Sequence, residues 1–345
     1  MALSTGSRAA LAATLLMTAV LAIVVLTRGP AEQAPAPVIP TLDLQAHRGG
    51  RGLFPENSIP AIQGALALGV TTLELDLVFT RDEILVLHHD LRLDDQRTRG
   101  PDGQWIAAEP ALYDLLADEL GAFDIGRARP GGPVAERFPT QQAQDGTLIP
   151  RLAAAVALAE RQGGGSIRYS LEMKRDPTRP ELAPDAATAA RLLAEALARL
   201  PIAGRVAVQS FDWAFLAAFR QAAPQVPTVW LTSEQPNLDR VQRGGASPWL
   251  AGADLAGVEG SLPALIARAG GTTWSPDYRD LRPVDLEEAH RLGLTVVVWT
   301  VNEPADMASL IDLGVDGIVT DYPDRLRAVM QEKGLALPPA FAPLE

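Results

Sequence analysis

The chain has 345 residues, of which 47% are hydrophobic, and it carries a formal net charge of -12 with an isoelectric point near 4.9. This hydrophobic fraction is ordinary for a globular protein and excludes extensive disorder, while the acidic balance excludes a nucleic-acid binder that relies on clustered lysines and arginines. The absence of cysteine excludes disulfides, thiolate metal sites, cysteine nucleophiles and a lipidated N-terminal cysteine.

The first predicted element is an apolar segment, residues 9–26, which lies between Arg8 and Arg28. It is apolar on every helical face and runs into a Pro/Ala-rich stretch, which is atypical of a helix buried in a globular domain. We interpret residues 1–28 as a signal peptide or a membrane anchor and residues 29–41 as a linker. Either interpretation predicts a catalytic domain outside the cytoplasm, periplasmic or secreted, and an anchor would tether it to the membrane.

Beyond the linker, β-rich runs alternate with Ala/Leu-rich helical stretches. This alternation predicts βαβ units with a parallel sheet, and eight strands in about 300 residues match an α/β TIM (β/α)8 barrel better than an open sheet. The barrel domain would span residues 42–330, and residues 331–345 would form a loosely held C-terminal tail. The predicted strands are residues 42–48, 72–79, 167–174, 206–211, 228–232, 272–275, 295–301 and 317–320.

A long connection, about residues 91–146, separates the second and third predicted strands. It is rich in Gly, Pro, Asp and Arg and contains turn-forming stretches at residues 99–103 and 129–133. Connections of this length in compact domains usually serve as functional loops or lids. We therefore predict an insertion over the mouth of the barrel that shapes substrate access.

Two carboxylates share one face of the second predicted strand, because alternation along a strand points Glu74 and Asp76 to the same side. Paired anions inside a barrel are costly unless a cation lies between them, or unless one pairs with an arginine such as Arg48. Glu172 and Lys174 share a face at the end of the third predicted strand and reach the same mouth. Hard oxygen ligands of this kind favour Mg²⁺ or Ca²⁺.

Histidines occur at two places on the predicted catalytic rim. His47 and Arg48 end the first predicted strand, and His88 and His89 follow the second. A histidine can donate or accept a proton near neutral pH, and a guanidinium can bind two phosphate oxygens. Each signal is weak alone, because a single histidine is more often structural.

Eight short motifs in a fixed order make a more specific pattern. Together they resemble the glycerophosphodiester phosphodiesterase family over nearly all of residues 42–330. The motifs are His47-Arg-Gly49, Pro55-Glu-Asn57, Glu74-x-Asp76, His89-Asp90, Glu172-x-Lys174, Gln209-Ser-Phe211, Trp299-Thr-Val-Asn302 and Asp316-Gly-Ile-Val-Thr-Asp321.

The resemblance implies a TIM barrel that hydrolyses small-molecule glycerophosphodiesters to sn-glycerol 3-phosphate and an alcohol, with one Ca²⁺ or Mg²⁺ ion. It pairs a histidine with Asp90, which selects His89, whereas a strand register shifted by one residue would select His88. Both water and the substrate's own glycerol hydroxyl remain candidates for the nucleophile. The implied site residues are Glu74, Asp76 and Glu172 for the metal, His47 and His89 as general base and acid, Arg48 and Lys174 for the phosphate, and Trp299 for the pocket wall.

Three other functions are alternatives to this one. A phospholipase acting on intact lipids would be favoured by an exposed apolar rim around the insertion. A phosphodiester-binding or scaffold protein is disfavoured because every acid, base and ligand position is retained. A glycosidase is disfavoured because Glu74 and Asp76 lie on the same face of one strand and do not flank a bond.

Overall fold

Parallel strands form the centre of the structure, a computed structural model that describes residues 42–343. The strands are β1 (Asp43–His47), β2 (Thr72–Phe79), β3 (Leu85–Leu87), β4 (Arg168–Met173), β5 (Val206–Ser210), β6 (Thr228–Thr232), β7 (Thr273–Pro276), β8 (Thr295–Val298) and β9 (Gly317–Thr320). All except β3 pair in parallel, and β1 pairs with both β2 and β9, so the sheet closes into an eight-stranded barrel. The predicted TIM barrel is confirmed.

Helices lie between successive parallel strands, and all but the short second one, which belongs to the insertion, cover the outside of the barrel. They are α1 (Ile59–Leu68), α2 (Pro133–Arg137), α3 (Leu152–Gly163), α4 (Ala186–Leu197), α5 (Trp213–Ala222), α6 (Leu262–Arg268), α7 (Pro283–Arg291), α8 (Pro304–Leu313) and α9 (Pro323–Glu332). Side chains of Ser58, Asp185, Asp212 and Ser261 cap α1, α4, α5 and α6 by accepting hydrogen bonds from backbone N–H groups of the first turn.

The alternation predicted for the second strand is present in β2, where all eight residues are buried. Leu73, Leu75 and Leu77 join the apolar core between strands and helices. Glu74 and Asp76 therefore point to the opposite side, into the barrel. Burial of both faces is what a parallel sheet covered by helices requires.

The insertion between the second and third barrel strands is a packed unit. It is preceded by β3, which pairs antiparallel with β2, and α2 lies within it. A second hydrophobic cluster, separate from the barrel core, packs the insertion against β2 and β3. The cluster comprises Val78, Val86, Leu93, Leu112, Leu120, Ile125 and Ile149. The insertion is thus fixed against the barrel by its own small core.

The C-terminal tail is docked on the barrel, so the expectation of a loosely held extension is corrected for residues 333–343. The backbone N–H of Phe341 donates to the Leu66 carbonyl at 2.9 Å, and Gln162 Nε2 donates to the Phe341 carbonyl at 3.3 Å. Arg327 Nη1 also donates to the Pro338 carbonyl at 2.8 Å. These bonds connect the tail to α1, α3 and α9.

The predicted signal peptide or anchor and the linker, residues 1–41, lie outside the described residues. Between residues 42 and 343, no helix is both long enough and apolar enough to cross a membrane.

Candidate active site

Three buried carboxylates converge inside the barrel. Strand pairing places Asp76 of β2 beside Glu172 of β4. Glu74 lies two residues before Asp76, on the same face of β2. One oxygen from each residue lies within 4.8 Å of the others. A cation held about 2.3–2.6 Å from each oxygen can bridge atoms at such separations. These three residues could therefore hold a metal ion.

The contacts of Asp76 Oδ1 indicate whether the cluster is suited to bind a cation. This oxygen is buried and accepts no hydrogen bond within residues 42–343. Lys174 Nζ lies 2.9 Å from it without hydrogen-bond geometry, and lies 2.7 Å from Glu172 Oε1. A buried carboxylate oxygen that lacks a hydrogen bond, next to the carboxylates of Glu74 and Glu172, forms a set of hard oxygen ligands that fits Mg²⁺ or Ca²⁺.

The protonation states of the cluster reflect crowding of negative charge. Burial, together with Asp76 and Glu172, raises the pKa of Glu74 well above its usual range. Burial and the charge of Asp76 raise the pKa of Glu172 to about 7, despite the nearby Lys174. Although burial opposes it, Lys174 and Arg48 hold the pKa of Asp76 well below its usual range. A bound cation would favour the charged form of all three carboxylates.

Neighbouring polar groups fix the orientation of these carboxylates. Glu74 Oε2 accepts a hydrogen bond from the Arg48 backbone N–H at 2.8 Å, and its Oε1 accepts one from Gln209 Nε2 at 2.7 Å. Asn57 donates from Nδ2 to Asp76 Oδ2 at 2.8 Å and accepts from the Asp76 backbone N–H at 3.0 Å.

Two of these supporting residues have strained backbones. Arg48 and Asn57 lie at φ +52° and +53°, in the left-handed region. Strain of this kind costs about 1–3 kcal/mol per residue and persists where surrounding structure enforces it, often at functional sites. In this conformation the Arg48 backbone N–H donates to Glu74, and the Asn57 side chain bonds to Asp76.

His47 is the first of two histidines in the cavity. Its Nδ1 lies 2.6 Å from Asp321 Oδ1, and Asp321 is itself bound by Arg51 Nε at 2.7 Å and by Asn302 Nδ2 at 2.8 Å. Burial and the charge of Arg51 lower the pKa of His47 to about 4. The imidazole is therefore neutral at pH 7, and an Nδ1–H donated to Asp321 leaves Nε2 as a proton acceptor.

His89 is the second histidine that lines the cavity. Its Nδ1 lies 2.8 Å from Asp90 Oδ1. Burial and the charges of Arg48 and Lys174 lower the pKa of His89 to about 3. His88 is not among the residues that line this cavity, and its Nδ1 lies 2.7 Å from the Asp90 carbonyl oxygen.

The two cations predicted to bind phosphate both reach the cavity. Arg48 donates from Nη1 to Glu56 Oε1 at 2.8 Å, and its Nε lies 3.1 Å from Asp76 Oδ2. Lys174 lies between Asp76 and Glu172, as described above. Both cations stay charged, because these carboxylates raise the pKa of each against the opposing effect of burial.

Trp299 is half-buried and lines the same cavity, so it is not a fully buried barrel tryptophan. Its Nε1 donates to the Ser275 carbonyl at 2.9 Å, and its ring meets Phe211 edge-on at 5.5 Å between ring centroids. The cavity has a volume of about 930 Å³, and the insertion contributes part of its wall, including Arg97, Arg137 and Phe138.

The structure thus brings all eight predicted site residues to one region. Sequence reasoning assigned no role to several of their partners, although most stand in the quoted motifs. The signal in the sequence that could have identified them is a polar residue at or close to the end of a predicted strand. The partners without an assigned role were Arg51, Glu56, Asn57, Gln209, Asn302 and Asp321.

Fold and site together define a TIM-barrel enzyme with a carboxylate cluster and two histidines in one cavity. The model of the glycerophosphoryl diester phosphodiesterase family matches residues 47–325. The chain belongs to this family, and it is a phosphoric diester hydrolase.

Individual relatives agree with this assignment. A glycerophosphodiester phosphodiesterase of Bacillus subtilis is 28% identical over 284 residues, which cover 82% of this chain and 85% of the relative. The crystal structure of a Silicibacter pomeroyi protein that bears the same family's name is 34% identical, with a TM-score of 0.76, and the match covers 86% of this chain and 96% of that one.

A more distant structure shares the fold. The Oleispira antarctica phosphodiesterase, solved in complex with its product sn-glycerol-3-phosphate, is 17% identical with a TM-score of 0.62. The match covers 84% of this chain and 97% of that one.

Proposed function

We propose that this enzyme hydrolyses glycerophosphodiesters to sn-glycerol 3-phosphate and an alcohol, with one divalent cation, Ca²⁺ or Mg²⁺, held by Glu74, Asp76 and Glu172. The observation that carries the proposal is the buried three-carboxylate cluster, of which Glu74 and Glu172 line the same cavity as two histidines. Family membership supports the substrate class, and the Oleispira neighbour was solved with that product bound.

The charged residues of the site would bind and polarise the phosphodiester. When bound, the cation supplies electrostatic stabilisation to the phosphoryl oxygens. Arg48 and Lys174 add positive charge to the same region, and they are preorganised by their carboxylate partners. Their positions on strand ends keep this charge in place before substrate arrives.

The histidines would carry the protons. His47, held by Asp321, takes the proton of the attacking hydroxyl, which belongs either to water or to the substrate's glycerol. His89 gives a proton to the leaving alkoxide. Because His89 is neutral in the free enzyme, we infer that the bound phosphodiester anion raises its pKa and charges it.

Hydrolysis of intact lipids is the alternative function, and the surface does not favour it. Large apolar side chains that are exposed within residues 42–343 are few and scattered. Leu148 lies just beyond the insertion, and within residues 91–146 Leu116 is the one large apolar side chain that is exposed.

The direct test is release of glycerol 3-phosphate by the purified full-length chain from small glycerophosphodiesters, with and without EDTA. We expect release that EDTA abolishes and that added Ca²⁺ or Mg²⁺ restores, because the cation would contribute electrostatic stabilisation to the phosphoryl oxygens. Release that is unaffected by thorough chelation would refute the metal assignment. Cleavage of intact phospholipid alone would favour the phospholipase alternative.

We further propose that the enzyme works outside the cytoplasm and is delivered there by residues 1–28. The apolar segment of residues 9–26 and the flanking arginines support this. Expression of the full-length chain in a bacterial host, followed by fractionation and sequencing of the mature N terminus, is expected to find the activity in the periplasm or on the outer face of the inner membrane. Activity confined to the cytosol would contradict it.

A further inference from the structure

The cavity is basic although the chain is acidic. Ten cationic side chains line it against seven carboxylates, while the whole chain has a net charge of -12. Most of these cations are neutralised by ion pairs. Arg92, Arg137 and Arg240 form no ion pair with any residue between 42 and 343, and the cavity therefore holds positive charge that the reaction at the phosphodiester does not use.

Arg240 differs from the other two unpaired arginines. Arg92 donates to the Glu109 carbonyl, and Arg137 is exposed to solvent. The half-buried Arg240 stacks on Trp249, with Cζ 3.8 Å from the ring centroid. Its Nε is buried and has no hydrogen-bond partner in the described part of the chain.

Within residues 42–343, the charge of Arg240 is therefore held in place without a paired counter-ion. Asp176 acts on it electrostatically but forms no ion pair with it, and burial lowers its pKa. Partial burial of a cation that has an N–H without an acceptor is energetically unfavourable, unless an anion pairs with the cation and accepts this hydrogen bond. Stacking on Trp249 also fixes the plane of the guanidinium, which preorganises it to bind a phosphate or carboxylate.

An aromatic wall connects Arg240 with the catalytic centre. Trp249 meets Phe211 edge-on at 6.5 Å between ring centroids, and Phe211 meets Trp299 at 5.5 Å. Phe211 follows two residues after Gln209, whose side chain donates to Glu74. The cavity's 930 Å³ is within the range of roughly 300–1,000 Å³ that accommodates drug-sized ligands, so it can hold an alcohol group as well as glycerol phosphate.

The Trp249 end of this wall disfavours a cationic alcohol group. A quaternary ammonium group binds over the face of an aromatic ring, and Arg240 already covers a face of Trp249. Two cations at this position would repel each other in a partly desolvated site. An anionic alcohol group would instead supply the missing counter-ion.

We propose that the preferred substrates are glycerophosphodiesters whose alcohol carries a second phosphate, and that Arg240 binds this phosphate. The inference rests on the proposed function, since it concerns the leaving group of that reaction. It makes Arg240 a specificity-determining residue that is not one of the proposed metal ligands.

The test compares two substrates that differ by one phosphate. Glycerophosphoinositol and glycerophosphoinositol 4-phosphate are assayed with the full-length enzyme, with glycerophosphocholine as the cationic comparison. We expect kcat/KM to be at least about ten-fold higher for the phosphorylated substrate, as one charge-assisted contact provides. Arg240→Gln should reduce this preference to about two-fold or less, while Arg240→Lys should keep part of it through its charge.

Arg161→Gln is the matched control, because Arg161 is exposed on α3 and does not line the cavity. It should retain the wild-type preference. Equal rates for the two inositol substrates, or a preference for glycerophosphocholine, would overturn the inference and leave the proposed function standing. Failure to cleave all three substrates would overturn both. The comparison of the two inositol substrates with the wild-type enzyme tests the inference even if Arg240→Gln does not fold.

Discussion

Glu74→Gln is expected to lower the affinity for Ca²⁺ or Mg²⁺ roughly 100-fold or more and to lower turnover with it. Even residues that only support a metal ligand typically change affinity 10–100-fold, and Glu74 would be a ligand itself. Glutamine has nearly the same shape: its side-chain oxygen can keep the hydrogen bond from the Arg48 backbone N–H, and its Nε2 can donate to the Gln209 side chain once that amide flips, while the negative charge is lost. The change therefore tests the charge and largely preserves the packing.

Thermal unfolding in the presence of metal measures this effect. A ligand at about 100 times its Kd stabilises the folded state by about 2.7 kcal/mol, so the wild-type Tm should rise with added metal and the Tm of Glu74→Gln should not. Glu195→Gln is the control, because Glu195 is exposed on α4, where it pairs with Arg191. If Glu74→Gln showed the wild-type Tm shift, the metal would have to be bound elsewhere.

His47→Ala is expected to lower kcat about 10²–10⁴-fold, which is the usual contribution of a positioned acid or base. The metal-dependent Tm shift should persist, because His47 is not one of the three clustered carboxylates. Loss of turnover with retention of metal distinguishes a proton-transfer role from a structural one.

Two further measurements sharpen the assignment of His47. Because its pKa is about 4 in the free enzyme, the base should remain deprotonated, and the wild-type kcat/KM should not fall through loss of this base until the pH approaches that value. His290→Gln is the matched control, since His290 is exposed on α7 and pairs with Asp316. Full activity of His47→Ala would exclude the residue as the general base.

The sequence by itself determined the barrel and the face that carries the carboxylates. Alternation of strands and helices is a local property, and the bounds of β2, β6 and β9 coincide with the predicted strands. The two-residue period of a strand likewise placed Glu74 and Asp76 on one side without any knowledge of their neighbours. The rim position of His47 followed from its place at a strand end.

The tertiary structure alone decided how distant segments complete the site. His47 and Asp321 are 274 residues apart in sequence and meet because β9 closes the barrel against β1. The antiparallel β3, whose last residue precedes His88, determines that His89 faces the cavity. No local pattern encodes these contacts, since they arise only when the ring of strands closes.

Loop packing shows the same division between local and long-range information. The sequence identified the insertion by its length and composition, but its separate hydrophobic cluster appears only when it packs on β2 and β3. The stacking of Arg240 on Trp249 and the docking of Phe341 on α1 went unpredicted for the same reason. Local propensity sets strands and helices, whereas burial of side chains from distant segments sets which charges remain unpaired in the cavity.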